Sequence, residues 1–494
     1  MKTDFDMVVI GGGAAGLTAA GISASLGAKT ALIEERKLGG DCTWTGCVPS
    51  KALLRAAAVA HSVQTADHFG FAVSGPHVNF QTIMERLRKI QDHIYHNADA
   101  PPVYEKLGIE VIEQRAQFIN RNRIEIIFRD GRKRAISSRF FIIASGARPM
   151  IPRIEGLAQT PYLTSETIFS ISKLPERLIV IGAGPVGIEM AQAFRRLGSE
   201  VIVLESATQI LLRDDAELTD ILRRQLAAEG VRFLLGCTAE KVEYSNSTFR
   251  ATLRSDTSGA VETIEGNALL VATGRRPNVD GLNLEAAGVR TGRGGVTVNQ
   301  HCRTSAKNIF ACGDVTGLYQ LTHMSEHMAK VAVTNALLRF PMSIDRANVP
   351  WCTYTDPELA HVGASEGELK KRGTHYEVYR FPFCKIDRAL TDGETVGLVK
   401  VLARKFDGRI YGASILGARA GDMIAEFALA MRNKVTLRKM ADTIHAYPTF
   451  ALGNRRAADQ WYVRKQSRTF VRLLQLVFGY RGQLPDTSDP NRIV

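Results

Sequence analysis

Two cysteines that could carry out redox chemistry, Cys42 and Cys47, lie in the run Gly-Asp-Cys-Thr-Trp-Thr-Gly-Cys-Val-Pro, with four residues between them. Pro49 precedes an apolar, alanine-rich stretch, and proline suits the first turn of a helix because its missing N–H has no partner there. We therefore expect Cys47 at a helix N-terminus, where the helix dipole and the nearby Lys51 favour a thiolate. The pair predicts a working disulfide; the alternatives are a structural bridge or two inert thiols.

A nucleotide-binding fingerprint comes shortly before the cysteines. An apolar strand leads into Gly-Gly-Gly-Ala-Ala-Gly, which starts at Gly11, and then into a helix and a second strand that ends at Glu34. In such a unit Gly11 permits the tight turn, Gly13 lets the backbone approach a pyrophosphate, and Gly16 lets helix and strand pack. Glu34 is spaced to bond a ribose 2′-hydroxyl. The complete unit predicts a dinucleotide site.

A second complete fingerprint follows about one domain length later. Here Gly182, Gly184 and Gly187 occupy the three glycine positions, and the second strand ends at Glu205. Two complete units predict two dinucleotides on one chain. A carboxylate at Glu205 accepts the 2′-hydroxyl of NADH and repels the 2′-phosphate of NADPH. We therefore expect NADH, with NADPH as the alternative that Arg213, further along the chain, would support.

The remaining motifs resemble those of one enzyme family. Ala-Ser-Gly-Ala-Arg-Pro around Gly146 and Ala-Thr-Gly-Arg-Arg-Pro-Asn around Gly274 resemble its two crossings between domains. Asn-Ile-Phe-Ala-Cys-Gly-Asp, ending at Asp314, resembles its second flavin motif. Together with the fingerprints and the cysteines, these runs are similar to those of the flavin-dependent pyridine nucleotide-disulfide oxidoreductases, the family of dihydrolipoamide dehydrogenase, glutathione reductase and mercuric reductase. The likeness extends to about Tyr462 and, within the family, is greatest to mercuric-reductase-like members.

The resemblance implies the cofactors and the roles of several residues. FAD would lie at the first fingerprint with Gly146, NADH at the second with Gly274, and electrons would pass from NADH through FAD to the cysteines. Cys47 would lie next to the flavin and Cys42 would face the substrate. Asp314 would bond the ribityl chain of FAD. By the same resemblance, an ion pair beside the flavin ring is formed by Lys51 and Glu189.

The order of the motifs predicts the domains. We expect an α/β protein with two Rossmann-like dinucleotide-binding domains and a C-terminal α+β interface domain. The resemblance implies that the interface domain completes the partner subunit's active site, which predicts a homodimer. The predicted domains are FAD-binding (1–150 and 276–345), NAD(P)H-binding (151–275), interface (346–465) and a C-terminal tail (466–494).

The predicted interface domain departs from the family pattern. In the family's disulfide reductases, a His immediately before Pro-Thr acts as acid-base partner of the exchanging cysteine, and a Glu five residues later orients it. Here the His position holds Tyr447 and the Glu position holds Leu452. Tyrosine is a poor base at neutral pH but can donate a hydrogen bond. His445 is the candidate substitute, although a purely structural role is favoured slightly.

The substrate therefore stays open between three predictions. The first is a disulfide or thiol-bound acceptor, as for dihydrolipoamide dehydrogenase. The second is a thiol-bound metal ion or a quinone, as mercuric reductases also lack that His. Against efficient mercury reduction, those enzymes share a cysteine pair near the C-terminus, whereas the last cysteine here is Cys384. The third is a membrane-docked, redox-sensing flavoprotein with little turnover.

Composition sets the remaining limits. The chain has 494 residues, 45% of them hydrophobic, and a formal net charge of +13. Without a nucleic-acid module, this basic excess predicts no nucleic-acid partner. We find no membrane-spanning run, no signal peptide and no structural metal motif, which together favour a cytoplasmic protein. The basic, apolar segment 467–481 predicts peripheral contact with a membrane surface or, as the favoured alternative, docking on the protein's own dimer.

Overall fold

The fold consists of two compact units, seen in a computed structural model that describes residues 3–484. The first unit contains the chain up to Ser206 and Val231–Ile344. The second contains Ala207–Gly230 and the chain from Asp345 onward. The short segment Ala207–Gly230 therefore groups with the C-terminal part of the chain. The domain boundaries given above stay a prediction.

The first unit is built around a seven-stranded sheet whose central strand is Phe5–Ile10. This strand pairs in parallel with strands on both sides, and five of its six residues are buried apolar side chains. Such burial is expected of a parallel strand covered on both faces. In spatial order the sheet is Glu110–Ile112, Thr30–Ile33, Phe5–Ile10, Lys133–Ile143, Arg123–Ile127 and Arg115–Asn120, with Ile309–Ala311 beside Lys133–Ile143.

The same unit contains a second parallel sheet of four strands. Its order is Val231–Leu235, Glu200–Glu205, Arg177–Ile181 and Ala268–Val271. An antiparallel sheet of three strands accompanies it: Cys237–Ser245, Thr248–Ser255 and Val261–Gly266. Two strand pairs complete the unit: Ala147–Pro149 with Arg275–Pro277, and Thr291–Gly292 with Gly295–Val296.

The second unit is built on a five-stranded antiparallel sheet. Its order is Pro350–Thr353, Glu358–Gly363, Ile410–Gly417, Leu398–Ala403 and Glu377–Pro382. Helices Ala420–Arg432 and Leu452–Lys465 cover this sheet. Tyr379, Phe381 and Phe427 are at most 1% exposed in the core between these layers. The unit is thus a separate α+β core.

The α-helices divide between the units. Those of the first unit are Ala14–Ser25, Gly40–Trp44, Cys47–Gln64, Phe80–Ile94, Pro101–Glu105, Pro185–Leu197 and Thr322–Val333. Those of the second are Ala216–Ala228, Glu366–Lys371, Asp387–Asp392, Ala420–Arg432, Leu437–Ala441, Leu452–Lys465 and Arg468–Phe478. The predicted α/β class, with two Rossmann-like parts and a C-terminal α+β part, is confirmed. Within the described part of the chain, no helix combines the length and apolar character needed to cross a membrane.

A buried lysine explains why Ala207–Gly230 belongs to the second unit. Lys400 lies on the strand Leu398–Ala403, which has a neighbouring strand on each side. Its side chain is 4% exposed, and its ammonium lies 2.7 Å from Asp215 and 2.9 Å from Glu217. A third carboxylate, Glu366, lies 2.7 Å away. The three N–H donors of Lys400 thus meet three carboxylates. Asp215 also caps the helix Ala216–Ala228, so one ion network holds that helix to the sheet.

We predict that Lys400→Met destabilises the protein by about 2–4 kcal/mol, because it removes the buried cation that three partly exposed carboxylates share. Urea unfolding of the full chain measures the effect. Lys405→Met is the matched control: Lys405 is 78% exposed and its pair with Glu377 is 3.4 Å long. That variant should lose less than about 1 kcal/mol. Equal losses in the two variants would contradict a special role for Lys400.

Candidate active site

The two cysteines lie at a break between two helices of the first unit. Cys42 is carried by the short helix Gly40–Trp44, and Cys47 is the first residue of the helix Cys47–Gln64. Both are reduced thiols in the structure. Gly40 packs closely against the turn of the first fingerprint, since a Cβ added there would lie 2.6 Å from the Cα of Gly13. The cysteine segment is thus packed directly against the predicted pyrophosphate turn.

The environment of the two sulfurs makes them chemically different. A hydrogen bond from the Cys42 thiol, with further help from Thr322 and Lys51, lowers the pKa of Cys47 to about 6. The same bond, together with burial, raises the pKa of Cys42. The Sγ of Cys47 lies 3.4 Å from the hydroxyl of Thr322, the first residue of helix Thr322–Val333. At neutral pH the pair therefore holds one thiolate, on Cys47, and one thiol, on Cys42.

The predicted ion pair between Lys51 and Glu189 is present. The ammonium of Lys51 donates to a carboxylate oxygen of Glu189 at 2.8 Å, and the side chain of Glu189 is only 7% exposed. Lys51 follows Cys47 by one helical turn, and Glu189 lies on Pro185–Leu197, the helix of the second fingerprint. The pair thus joins the cysteine helix to the second nucleotide unit. Its place beside a flavin ring stays a prediction.

The two fingerprints have the same local geometry. Gly11 and Gly182 have φ of 109° and 108°, a region that favours glycine. A Cβ at either position would lie within 2.5 Å of a backbone oxygen, that of Ala144 or of Ala272. The third glycine of each unit, Gly16 or Gly187, packs against the backbone of the first at a distance that excludes any side chain. These glycines are therefore required by the fold itself.

The middle glycines, Gly13 and Gly184, have a different reason to be present. Their φ values of −86° and −76° suit any residue. A Cβ on Gly13 would come no closer than 3.7 Å to another atom, and one on Gly184 would have no described atom within 4 Å. Neither conformation nor packing requires glycine there. The open space lies at a helix N-terminus, as the pyrophosphate of a dinucleotide requires, so the residues present fit such a ligand.

The acidic residue of each fingerprint supports its turn. The N–H of Gly12 donates to Glu34 at 2.6 Å, and the N–H of Ala183 donates to Glu205 at 2.8 Å. A carboxylate has about four acceptor sites, so each can also accept a ribose hydroxyl. Each turn and the carboxylate predicted to accept a ribose hydroxyl are thereby held in a fixed relation.

The two predicted crossings pair with each other. Strand Ala147–Pro149 follows Gly146, strand Arg275–Pro277 follows Gly274, and the two strands are antiparallel partners. Asn278 donates its N–H to the carbonyl of Gly146 at 3.0 Å. The chain therefore leaves the seven-stranded sheet and returns to it through two paired antiparallel strands.

Arg275 and Asp41, to which the sequence analysis assigned no role, connect the cysteines to the second flavin motif. The guanidinium of Arg275 donates to Asp41, next to Cys42, and its Nε lies 3.4 Å from Asp314. Burial and the neighbouring Asp41 raise the pKa of Asp314 to about 6, although Arg275 opposes the rise. Arg275 belongs to the Ala-Thr-Gly-Arg-Arg-Pro-Asn crossing, and this motif could have indicated that the arginine lies near the site. No motif in the sequence indicated that Thr322 would lie beside Cys47.

The segment between the two cysteines is held from one side by polar contacts. The amide of Gln91 donates to the carbonyls of Thr43 and Trp44 at 2.9 and 2.8 Å. The hydroxyl of Thr43 donates to buried Asp99 at 2.6 Å. Lys37 lies 3.5 Å from the centre of the Trp44 ring, a cation–π contact. These contacts fix the position of the segment between the two cysteines.

His445 and Tyr447, the residues considered for the acid-base position, lie in the second unit. Both ring nitrogens of His445 face acceptors, the carbonyl of Thr443 at 3.0 Å and the carboxylate of Glu426 at 2.9 Å. Its side chain is 8% exposed. Tyr447 is 70% exposed, and its hydroxyl donates to Asp387 at 2.9 Å. That hydrogen bond raises the pKa of Tyr447. Both side chains thus already have polar partners within the second unit.

No metal centre is formed by protein side chains alone among residues 3–484, because no group of three or more His, Cys, Asp or Glu residues could hold an ion there. The features that the first unit does bring together are two dinucleotide folds and a thiol–thiolate pair. They define a redox enzyme of the two-dinucleotide class.

Comparison with known proteins places the chain within that class. The sequence profile of the pyridine nucleotide-disulphide oxidoreductases matches residues 5–329, and the profile of their dimerisation domain matches residues 349–457. The chain belongs to this family, whose members use FAD and a pyridine nucleotide. The predicted class of enzyme, an FAD-dependent oxidoreductase with disulfide-reducing chemistry, is confirmed.

Individual relatives differ in the acceptor that their names imply. The chain is 34% identical over 458 residues to a mercuric reductase of Lysinibacillus sphaericus, covering 92% of this chain and 82% of the relative. It is 33% identical over 460 residues to a dihydrolipoyl dehydrogenase of Bacillus subtilis (strain 168), covering 91% and 96%. A solved structure, the Cu(II) complex of the HOCl-induced flavoprotein disulfide reductase RclA from Escherichia coli, matches with a TM-score of 0.82 and 27% identity, covering 93% of this chain and 99% of RclA.

We predict that Cys47 in the reduced protein reacts as a thiolate down to about pH 6, because its pKa is lowered in the folded state. The pH dependence of its alkylation, followed by peptide mass spectrometry, measures this value. Thr322→Val should move the midpoint upward by about half to one pH unit, since it removes a hydrogen bond worth ~1 kcal/mol.

Thr248→Val, on a strand of the three-stranded sheet, is the matched control for that substitution and should leave the midpoint unchanged. A midpoint near the usual value for a thiol in the wild type, or one that Thr322→Val does not move, would contradict the assignment of the thiolate to Cys47.

Proposed function

We propose that this protein is an NADH-dependent reductase in which Cys42 attacks a disulfide acceptor and Cys47 carries the proton for that attack. The observation that supports it best is the thiol of Cys42 hydrogen-bonded to a thiolate on Cys47. In this proposal Cys47 takes over the part that a histidine plays in the family's disulfide reductases. The acceptor releases its sulfur atoms as thiols or thiolates.

The proposed exchange has two steps that conserve atoms and electrons. First, the sulfur of Cys42 attacks one acceptor sulfur while Cys47 takes the Cys42 proton and hands it to the departing thiolate. A mixed disulfide between Cys42 and the acceptor results. Second, the Cys47 thiolate attacks Cys42, the remaining acceptor thiolate leaves, and a Cys42–Cys47 disulfide forms. The acceptor gains two electrons and the cysteine pair loses two.

The cofactor assignments form part of the same proposal. FAD, when bound, supplies the hydride acceptor for the nicotinamide and the two electrons that return the cysteine disulfide to the dithiol. The residues proposed to hold it are Gly11, Gly13, Gly16, Glu34, Gly146 and Asp314. Those proposed to hold NADH are Gly182, Gly184, Gly187, Glu205 and Gly274. The carboxylate of Glu205 is the feature that favours NADH over NADPH.

The surroundings of His445 and Tyr447 support an internal proton carrier. The ring nitrogens of His445 lie 3.0 Å from the carbonyl of Thr443 and 2.9 Å from the carboxylate of Glu426, so both already have partners within the second unit. The pKa of Tyr447 is raised by Asp387, which makes its phenolate scarcer at neutral pH. Tyr447 keeps its capacity to donate a hydrogen bond to a bound substrate.

Because the proposal includes no strong external acid, the rate of exchange should depend on the pKa of the leaving thiol. Thiols of low pKa depart more easily as thiolates, so disulfides of such thiols should be better acceptors than lipoamide. This expectation separates the present protein from its dihydrolipoyl dehydrogenase relatives. It also makes a protein or low-molecular-weight disulfide with an activated sulfur the acceptor class to test first.

A thiol-bound soft metal ion is the second candidate acceptor. Two adjacent sulfurs suit Hg(II) or copper, and electron transfer to a metal requires no general base. The mercuric reductase relatives and the Cu(II) complex of RclA favour this alternative. Against it, residues 385–494 contain no cysteine that could deliver the ion.

The match to the dimerisation domain supports a homodimer. In the proposal, two copies of this chain associate through the second unit, as the resemblance to the family implies. The oligomeric state of the purified protein, measured by light scattering, gives the direct answer.

We predict that Cys42→Ser abolishes disulfide-dependent NADH oxidation, because the attacking sulfur is lost, whereas Tyr447→Phe and His445→Ala each change it by less than about fivefold. A general base contributes roughly 10²–10⁴-fold, so a hundredfold loss in His445→Ala would assign the proton step to His445 instead. The measurement is steady-state NADH and NADPH oxidation by the purified flavoprotein.

The acceptor panel consists of an aromatic disulfide of a low-pKa thiol, lipoamide, oxidised glutathione, Hg(II) with excess thiol, Cu(II) and a quinone. The proposal expects the aromatic disulfide to exceed lipoamide. Turnover with the metals or the quinone alone would contradict it in favour of the second candidate. Faster turnover with NADPH than with NADH would overturn the role given to Glu205.

A further inference from the structure

The C-terminal helix Arg468–Phe478 exposes an unusual amount of apolar surface. Each of its eleven residues, all within the described part of the chain, is exposed or half-buried. Leu476 is 83% exposed, Val477 62% and Phe478 61%. The helix is nevertheless well formed at its start, since the hydroxyl of Ser467 accepts the N–H of Phe470 at 3.1 Å. Contiguous exposed apolar surface of this kind marks an interaction site.

The helix is strongly two-sided. Successive residues turn by ~100° around the axis, which collects the apolar residues on one broad side. Arg468 and Arg472 fall together on the other side, next to Gln475. The apolar residues are Phe470, Val471, Leu473, Leu474, Leu476, Val477 and Phe478. A wide apolar side with arginines opposite is the pattern of a helix that lies in a membrane interface.

The sequence around the helix is basic, although Asp459 and Asp486 border the stretch. From residue 460 to residue 485 the sequence contains five Lys and Arg residues and no Asp or Glu. The whole chain carries a formal net charge of +13. A second copy of this chain would therefore present a surface that repels the helix on average, whereas anionic lipid attracts it.

An exposed aromatic side chain lies beside the start of the helix. Phe406, on the loop between two strands of the five-stranded sheet, is 84% exposed. The ammonium of Lys465, three residues before the helix, donates to the carbonyl of Phe406 at 3.4 Å and lies 5.9 Å from its ring centre. Aromatic rings with a neighbouring cation are favoured at the level of lipid headgroups.

We propose that the helix Arg468–Phe478, with Phe406 beside its start, docks this protein reversibly on the surface of an anionic lipid bilayer. The helix is about 16 Å long at ~1.5 Å per residue, too short to cross a hydrocarbon core of about 30 Å. It therefore lies along the surface, with the apolar side in the headgroup region and the arginines at the phosphates. This inference is independent of the acceptor proposed above.

Vesicle flotation of the full-length, FAD-loaded protein tests the proposal. We expect binding to phosphatidylcholine vesicles that contain phosphatidylglycerol to be at least about tenfold tighter than to phosphatidylcholine alone, and to weaken as salt is added. Leu473→Ser combined with Leu476→Ser should reduce binding at least about tenfold, since more than half of each leucine is exposed and would become buried in the membrane. Arg468→Gln combined with Arg472→Gln should remove the preference for anionic lipid.

Leu26→Ser combined with Leu107→Ser is the matched control, because these leucines are 45% and 55% exposed in the first unit. This variant should bind vesicles like the wild type. Failure of the wild type to float with anionic vesicles, or wild-type binding by the Leu473/Leu476 variant, would overturn the proposal. Absence of vesicle binding, together with a change of oligomeric state in that variant, would assign the apolar side to a second copy of the chain instead.

Discussion

A hydrogen bond between two sulfur atoms is the interaction on which the chemistry of this protein depends. The thiol of Cys42 stabilises the thiolate of Cys47, which lowers the pKa of one cysteine and raises that of the other. The start of a helix, the Thr322 hydroxyl and the Lys51 ammonium all favour the same charge distribution. The site therefore holds a nucleophile, a proton and a proton acceptor without a histidine.

Other contacts of the first unit fix the position of the two cysteines relative to the two nucleotide folds. Gly40 packs on the turn of the first fingerprint, and Lys51 pairs with Glu189 on the helix of the second. Arg275 connects Asp41, next to Cys42, with Asp314 of the second flavin motif. Each predicted cofactor position is thus linked to the cysteines by at least one short polar or steric contact.

The sequence could predict the parts of this arrangement that are local. A fingerprint such as Gly11 to Glu34 is a continuous strand-turn-helix-strand unit whose glycines have steric reasons that the structure makes visible. Contacts between residues that are distant in the sequence could not be predicted. Thr322 is 275 residues from Cys47, and Lys400 is 185 residues from Asp215. No periodicity or spacing connects such positions, because the topology alone brings them together. The pair Lys51–Glu189 was anticipated only through the family resemblance.

The most direct test of the account is the count and location of thiols produced by one equivalent of NADH. The oxidised, FAD-loaded protein is mixed anaerobically with NADH and then labelled with a thiol reagent, and the labelled peptides are identified by mass spectrometry. The account predicts two new thiols per protomer, on Cys42 and Cys47. No new thiols, or new thiols confined to other cysteines such as Cys302 and Cys312, would show that electrons do not pass through this pair.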